Sequence, residues 1–281
     1  MTPDSQKQRI SYVFLCASLI VVFILASLRP LRTGHIATVI GVVVFAAIAV
    51  ATSVLGRRAI RSTVQDQRLL SLAGILLIVP FAIVGLLWVG IGPPWMATAT
   101  ENQMRYLVLS VMSIAIASGL TVLKEALKNA GESFYSTVGF AMVMLAGPLY
   151  LVFNAFGFAA ATASLNGGKL PSAFHDLNEI IDMILFLAGA LTYLASAAFA
   201  ASLGRVELLS RGAARCFAIV SLIAFALLLI RGLHFPDPRA LSTPWYANPG
   251  FAVGIPAVPF IIPFHFGVVL LRRAGDETWL E

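Results

Sequence analysis

Residues 36–91 read IATVIGVVVFAAIAVATSVL (36–55), GRRAIRSTVQDQR (56–68) and LLSLAGILLIVPFAIVGLLWVGI (69–91). Two apolar runs of 20 and 23 residues flank a connection that carries four arginines, Arg57, Arg58, Arg61 and Arg68. A helix needs about 20 apolar residues to cross the ~30 Å hydrocarbon core of a bilayer. Neither run alternates polar and apolar residues, as the strands of a membrane barrel do. In hydrocarbon the backbone of such a run is satisfied only within a helix. The stretch therefore predicts two membrane helices joined by a short basic loop.

The same reading extended along the chain gives eight spans. They are Ile10–Leu28, Ile36–Leu55, Leu69–Ile91, Tyr106–Leu123, Thr137–Ala160, Ile180–Leu203, Ala214–Ile230 and Phe251–Leu271. Lys and Arg fall in the gaps and alternate in density from one gap to the next. With the N-terminus inside, 13 of the 19 basic residues lie on the inner side. Basic residues near span ends mark the cytoplasmic side. The expected architecture is an all-α integral membrane bundle of about eight transmembrane helices, with both termini cytoplasmic. Residues 1–281 read as one transmembrane domain with no separate soluble domain. Localisation in a plasma or inner membrane follows as an expectation.

Composition agrees. Charged residues are 11% of the chain, hydrophobic residues 59%, and the mean hydropathy is +0.91. A soluble domain carries about 25% charged residues, so lipid must be the solvent here. The net charge is +6, yet no RNA- or DNA-binding motif occurs. The basic residues cap apolar runs, which points to anionic lipid headgroups rather than nucleic acid. Cys16 and Cys216 lie in or beside apolar runs, and no external loop holds a cysteine for a disulfide. The first run follows Lys7 and Arg9 but is longer than a signal-peptide core of about 7–15 residues. It reads as an uncleaved helix.

The outer loops differ from the inner ones. Gly92-Pro93-Pro94-Trp95, Asn166-Gly167-Gly168 and the stretch from His234 to Gly250 predict ordered turns with aromatic anchors at headgroup level. Asn129-Ala130-Gly131 reads as a helix C-cap, with Lys124 and Lys128 in the favourable last turn. In the sixth span Ala188, Thr192, Ser196 and Ala200 recur every four residues. Small residues at that spacing allow close backbone approach, so this helix is the expected hub.

The densest polar cluster is His175-Asp176-Leu177-Asn178-Glu179-Ile180-Ile181-Asp182. His175, Glu179 and Asp182 share one helical face. Asp182 stands roughly 10 Å along the helix from His175, inside the hydrocarbon zone, where an acid is costly and marks function by default. Acidic residues in a first turn also complement the positive end of a helix, with Ser172 as N-cap. Asn154, Arg231 and His234 fall near the same level. Arg231 could pair with Glu179 or Asp182, or snorkel to the headgroups. Asn154 could serve an interhelical hydrogen bond. Pro256, Pro259 and Pro263 predict an irregular outer half of the eighth span, lining a cavity toward the acidic cluster.

The leading expectation is a carrier of a small solute or ion, coupled to protons, with a polar cavity in its outer half. Asp182, Glu179, Asn154 and Arg231 are the candidate binding residues. The second reading is a sensor, assembly factor or structural subunit without chemistry. The third is a metal-dependent enzyme at the outer leaflet, with zinc held by His175, Glu179, Asp182 and His234. The chain has no His-Glu-x-x-His, no Gly-x-Ser-x-Gly and no stacked histidine pairs for haem. No resident cofactor is expected on the first two readings, and the sequence does not define an oligomeric state.

Overall fold

A computed structural model describes residues 3–27, 35–168, 172–233 and 249–275. Among these the regular structure is helical. The helices are α1 (Pro3–Ser27), α2 (His35–Ile60), α3 (Gln65–Gly90), α4 (Ala99–Asn129), α5 (Phe134–Leu165), α6 (Ser172–Arg205), α7 (Arg211–Leu233), α8 (Pro249–Val253) and α9 (Ile261–Ala274). Six of them, α2 to α7, contain stretches long and apolar enough to cross a membrane. The chain is thus a polytopic helical membrane protein. The first seven predicted spans each correspond to one helix, α1 to α7, and α4 to α7 run past the apolar run at both ends.

The eighth span departs from expectation. Residues 251–271 do not form one helix. α8 stops at Val253, a 3-10 turn covers Val258–Phe260, and α9 begins at Ile261. The cause is local. Pro256 and Pro259 lack the N–H that a continuous helix needs. The gap closes its backbone with tight bonds instead: Ile255 N–H to Ala252 O, Val258 N–H to Ile255 O and Phe260 N–H to Ala257 O. Pro263 is the third residue of α9, where its missing N–H would have had no helical partner. At 14 residues α9 is about 21 Å long, short of the hydrocarbon thickness.

α3 and α6 form the interior. In each, 61% of the apolar window is buried, against 22–33% for α2, α4, α5 and α7. On α6 the expected small-residue face is enclosed: Ala188, Thr192, Ser196 and Ala200 are all 4% exposed or less. α3 crosses α9 backbone to backbone. Gly74 and Gly267 face each other so closely that a Cβ on Gly267 would stand 2.8 Å from the Gly74 carbonyl oxygen. A Cβ on Gly74 would stand 2.9 Å from that of Gly267. This contact seats Phe264, Phe266, Leu270 and Leu271, none of them measurably exposed, against α3 and its neighbours.

The α4–α5 junction ends one helix and starts the next. Gly131 has φ +88°, and Gly131 N–H and Glu132 N–H donate to Lys128 O and Leu127 O. That is the paired closure in which a left-handed glycine completes a helix C-terminus. Glu132, 5% exposed, then caps α5. Its carboxylate accepts the Tyr135 N–H at 2.8 Å and the Ser136 N–H at 3.1 Å, and it also accepts the Ser202 hydroxyl from α6. Ser133 makes no side-chain capping bond, so the acid one residue earlier does that work.

Candidate functional site

The end of the bundle opposite the Arg57–Arg68 connection is organised by the turn between α3 and α4. Thr98 caps α4: its hydroxyl accepts the Glu101 N–H, while the Glu101 carboxylate accepts the Thr98 N–H at 2.7 Å. Two side chains of α4 then tie the preceding turn down. Asn102 Nδ2 donates to Pro94 O at 2.8 Å, and Arg105 Nη2 donates to Gly92 O at 2.6 Å. Arg105 is 4% exposed, and its Nε makes no hydrogen bond with the described protein. The turn is ordered as the Gly-Pro-Pro-Trp run predicts, and Trp95 projects from it, 80% exposed.

Below this turn lies a cavity of about 660 Å³ walled by α4, α5 and α6. Asp182 lines it from α6, Asn102 and Tyr106 from α4, and Phe153, Phe156 and Gly157 from α5. Gly157 is where the Tyr106 ring rests, since a Cβ there would lie 2.5 Å from the ring. The Tyr106 and Phe153 rings meet edge to face with centroids 6.1 Å apart. Phe156 stacks on Phe174 of α6 at 4.1 Å. The Asp182 carboxylate is exposed and close enough to Tyr106 to interact with it electrostatically. Asn102 Oδ1 is buried and accepts no hydrogen bond from the described protein. The chamber therefore offers one carboxylate, one phenol, one amide and the Ser164 hydroxyl among aromatic and small apolar side chains.

The other candidates stand elsewhere. Asn154, 3% exposed, lies about one turn inward of Gly157, and its amide donates to Ser113 Oγ at 3.4 Å. This is the interhelical bond read as one of its two roles. Arg231 places its guanidinium over the Phe186 ring at 5.5 Å and runs along Gly250 and Gly254 beside α8. The broken segment 254–260 packs on α5, α6 and α7 rather than on this cavity. Tyr193 donates its hydroxyl to Val253 O at 2.9 Å, the Phe260 ring meets Tyr150, and Gly189 faces Pro259. A cavity does lie beside Asp182, but it is walled by α4, α5 and α6, and the proline-rich segment expected to line it does not. The side chains of His175 and Glu179, and the whole of His234, lie outside the described residues. Among the described residues no three His, Cys, Asp or Glu side chains converge as a metal site would require.

Two features of the site were missed in the sequence. Thr98-x-x-Glu101 is a capping box that was there to be read. The pairing of Tyr106 with Gly157 has no local signal, because it depends on how α4 meets α5. Comparison of the chain with protein-family models, with curated proteins and with solved structures finds no match.

Proposed function

We propose that this membrane protein is a carrier that binds a small cation in the chamber beside Asp182 and couples its movement to a proton. The observation that carries this reading is a roomy chamber with a carboxylate in its wall, set in a span that is otherwise apolar. A carboxyl group there is costly unless it is used. A carboxylate that pairs with a cation cannot at the same time carry a proton, so occupancy by a cation and by a proton exclude one another. The aromatic wall suits a cation as well, since the faces of Tyr, Trp and Phe attract positive charge. Asn102 and Tyr106 supply polar partners for orientation. Glu179, about one turn away on α6, is the flanking candidate of this proposal; Asn154 and Arg231 do not line the chamber.

The test is proton movement in proteoliposomes loaded with a pH-sensitive dye. Sodium, potassium, ammonium and ethylammonium gradients are applied in turn. At least one is expected to drive a dye response in the wild type. Asp182→Asn is expected to lower that response at least tenfold while the protein elutes as a normal folded species. A full response in Asp182→Asn, or none to any cation in the wild type, overturns the reading.

Orientation belongs to the same proposal: both termini face the cytoplasm, and the chamber opens outward. With Cys16 and Cys216 replaced by serine, Trp95→Cys is expected to react with a membrane-impermeant maleimide on intact cells. Arg61→Cys is expected to react only after permeabilisation. The opposite pattern would invert the topology.

A further inference from the structure

The opposite, basic end of the bundle holds a second cavity, of about 430 Å³, between α1, α2 and α9. Arg9 and Tyr12 enter it from α1, Leu55 from α2, Leu271 and Arg272 from α9, and Gly275 from just beyond the end of α9. The Arg272 guanidinium is stacked over the Tyr12 ring, its centre 4.5 Å from the ring centroid. That stacking fixes the plane of a side chain that would otherwise wander. Among the described residues neither Arg9 nor Arg272 has a carboxylate within ion-pair distance; the ion pairs at this end involve other residues. Two guanidiniums from separate helices thus face one cavity without an anionic partner in the described protein.

The floor of the cavity is apolar, made by Leu55 and Leu271, which are buried. Its side wall includes Val13, which is 57% exposed and continues outward to Ile10 and Ile20 on α1, 60% and 64% exposed. The cavity is therefore polar and cationic at its mouth and runs without interruption onto an apolar, lipid-facing helix surface. We propose that this is a binding site for the phosphate of an anionic lipid headgroup, with the acyl chains lying along α1. Guanidinium forks match phosphate oxygens in pairs. Basic pockets between membrane helices suit the headgroups of the cytoplasmic leaflet. A free phosphate could use the same guanidiniums but not the adjoining apolar strip.

The experiment uses the full chain in an uncharged detergent and reads the thermal unfolding midpoint. Phosphatidylglycerol is expected to raise the midpoint of the wild type, and phosphatidylcholine of the same chain length is not. Arg9→Gln with Arg272→Gln is expected to abolish the difference between the two lipids. Arg61→Gln with Arg68→Gln, outside the cavity, is expected to keep it. The single variant Arg9→Gln, which leaves the Tyr12 stack in place, is expected to at least halve it and serves if the double variant fails to fold. A phosphatidylglycerol effect undiminished in the Arg9 variants overturns the site. Inorganic phosphate alone reproducing the full wild-type shift overturns the lipid as its source.

Discussion

Replacing Gly267 with valine is expected to destabilise the protein by about 3 kcal/mol or prevent it from accumulating in the membrane. The argument is geometric. A Cβ at Gly267 meets the Gly74 carbonyl oxygen at 2.8 Å, Ile78 Cγ1 at 2.9 Å and the Leu77 Cβ at 3.0 Å. The first of these is backbone and cannot swing aside, so α3 and α9 would have to separate. Separation loosens the fully enclosed side chains Phe264, Phe266, Leu270 and Leu271, and a packed interior does not deform smoothly. Gly74→Ala is expected to act in the same direction. The two changes together should cost less than their sum, since both push the same helices apart. Gly212→Ala is the control, because a Cβ there meets nothing within 4 Å. The measurement is the thermal midpoint in detergent with the recovered monodisperse fraction. If Gly267→Val melts with Gly212→Ala, the helices do not cross at these glycines.

Most of the helices were legible because the bilayer imposes a length and a polarity on each crossing. Their ends were less so: the run Tyr106–Leu123 became Ala99–Asn129, since a helix continues through the interfacial zone where hydropathy no longer marks it. The broken eighth span was legible in part, from Pro256 and Pro259. What they do to the backbone was local and readable, whereas which helices cover the break was not. The interior position of α3 was hidden for a related reason. Lipid is as apolar as leucine, so a lipid-facing side and a protein-facing side look alike in sequence. Val39, Val42, Val43 and Val50 of α2 are 50–61% exposed, while Leu77 and Ile78 of α3 are enclosed, although all six are aliphatic and no difference in polarity announces it. α6 was recognised as interior only because its packing face is small. The same limit governs the site. Asp182 announced itself as an acid in an apolar run, but its chamber is made by Tyr106, Phe153 and Gly157, whose meeting is a matter of helix arrangement.

Replacing Glu132 with glutamine is expected to lower stability at neutral pH by about 1–3 kcal/mol and to flatten the loss of stability in acid. Glu132 lies between the ends of α4 and α5, where its carboxylate gathers two backbone N–H groups of α5 and the Ser202 hydroxyl of α6. Burial by itself pushes this carboxyl group up. The hydrogen bonds from Ser202, Tyr135 and Ser136 together outweigh it and hold the group below its ordinary range. The negative charge also stands at the positive end of α5. A group held low in the folded state stabilises the fold fully above its unfolded value of about 4.3, and that contribution is lost as pH falls through the folded value. From pH 6 to 8 it is constant. Glutamine keeps one acceptor but turns an N–H2 toward donors that need an oxygen, so at least one buried donor is left unpaired. It also cannot titrate. Ser202→Ala removes one of the three donors and leaves both backbone bonds, so its cost should be the smaller, with the acid dependence retained. Thermal midpoints of the wild type and both variants between pH 3.5 and 7.5 decide the matter. A Glu132→Gln profile that overlays the wild type would mean that α5 and α6 are not joined through this carboxylate. A Ser202→Ala loss as large as that of Glu132→Gln would place the weight of the clamp on the α6 contact instead of on the helix cap.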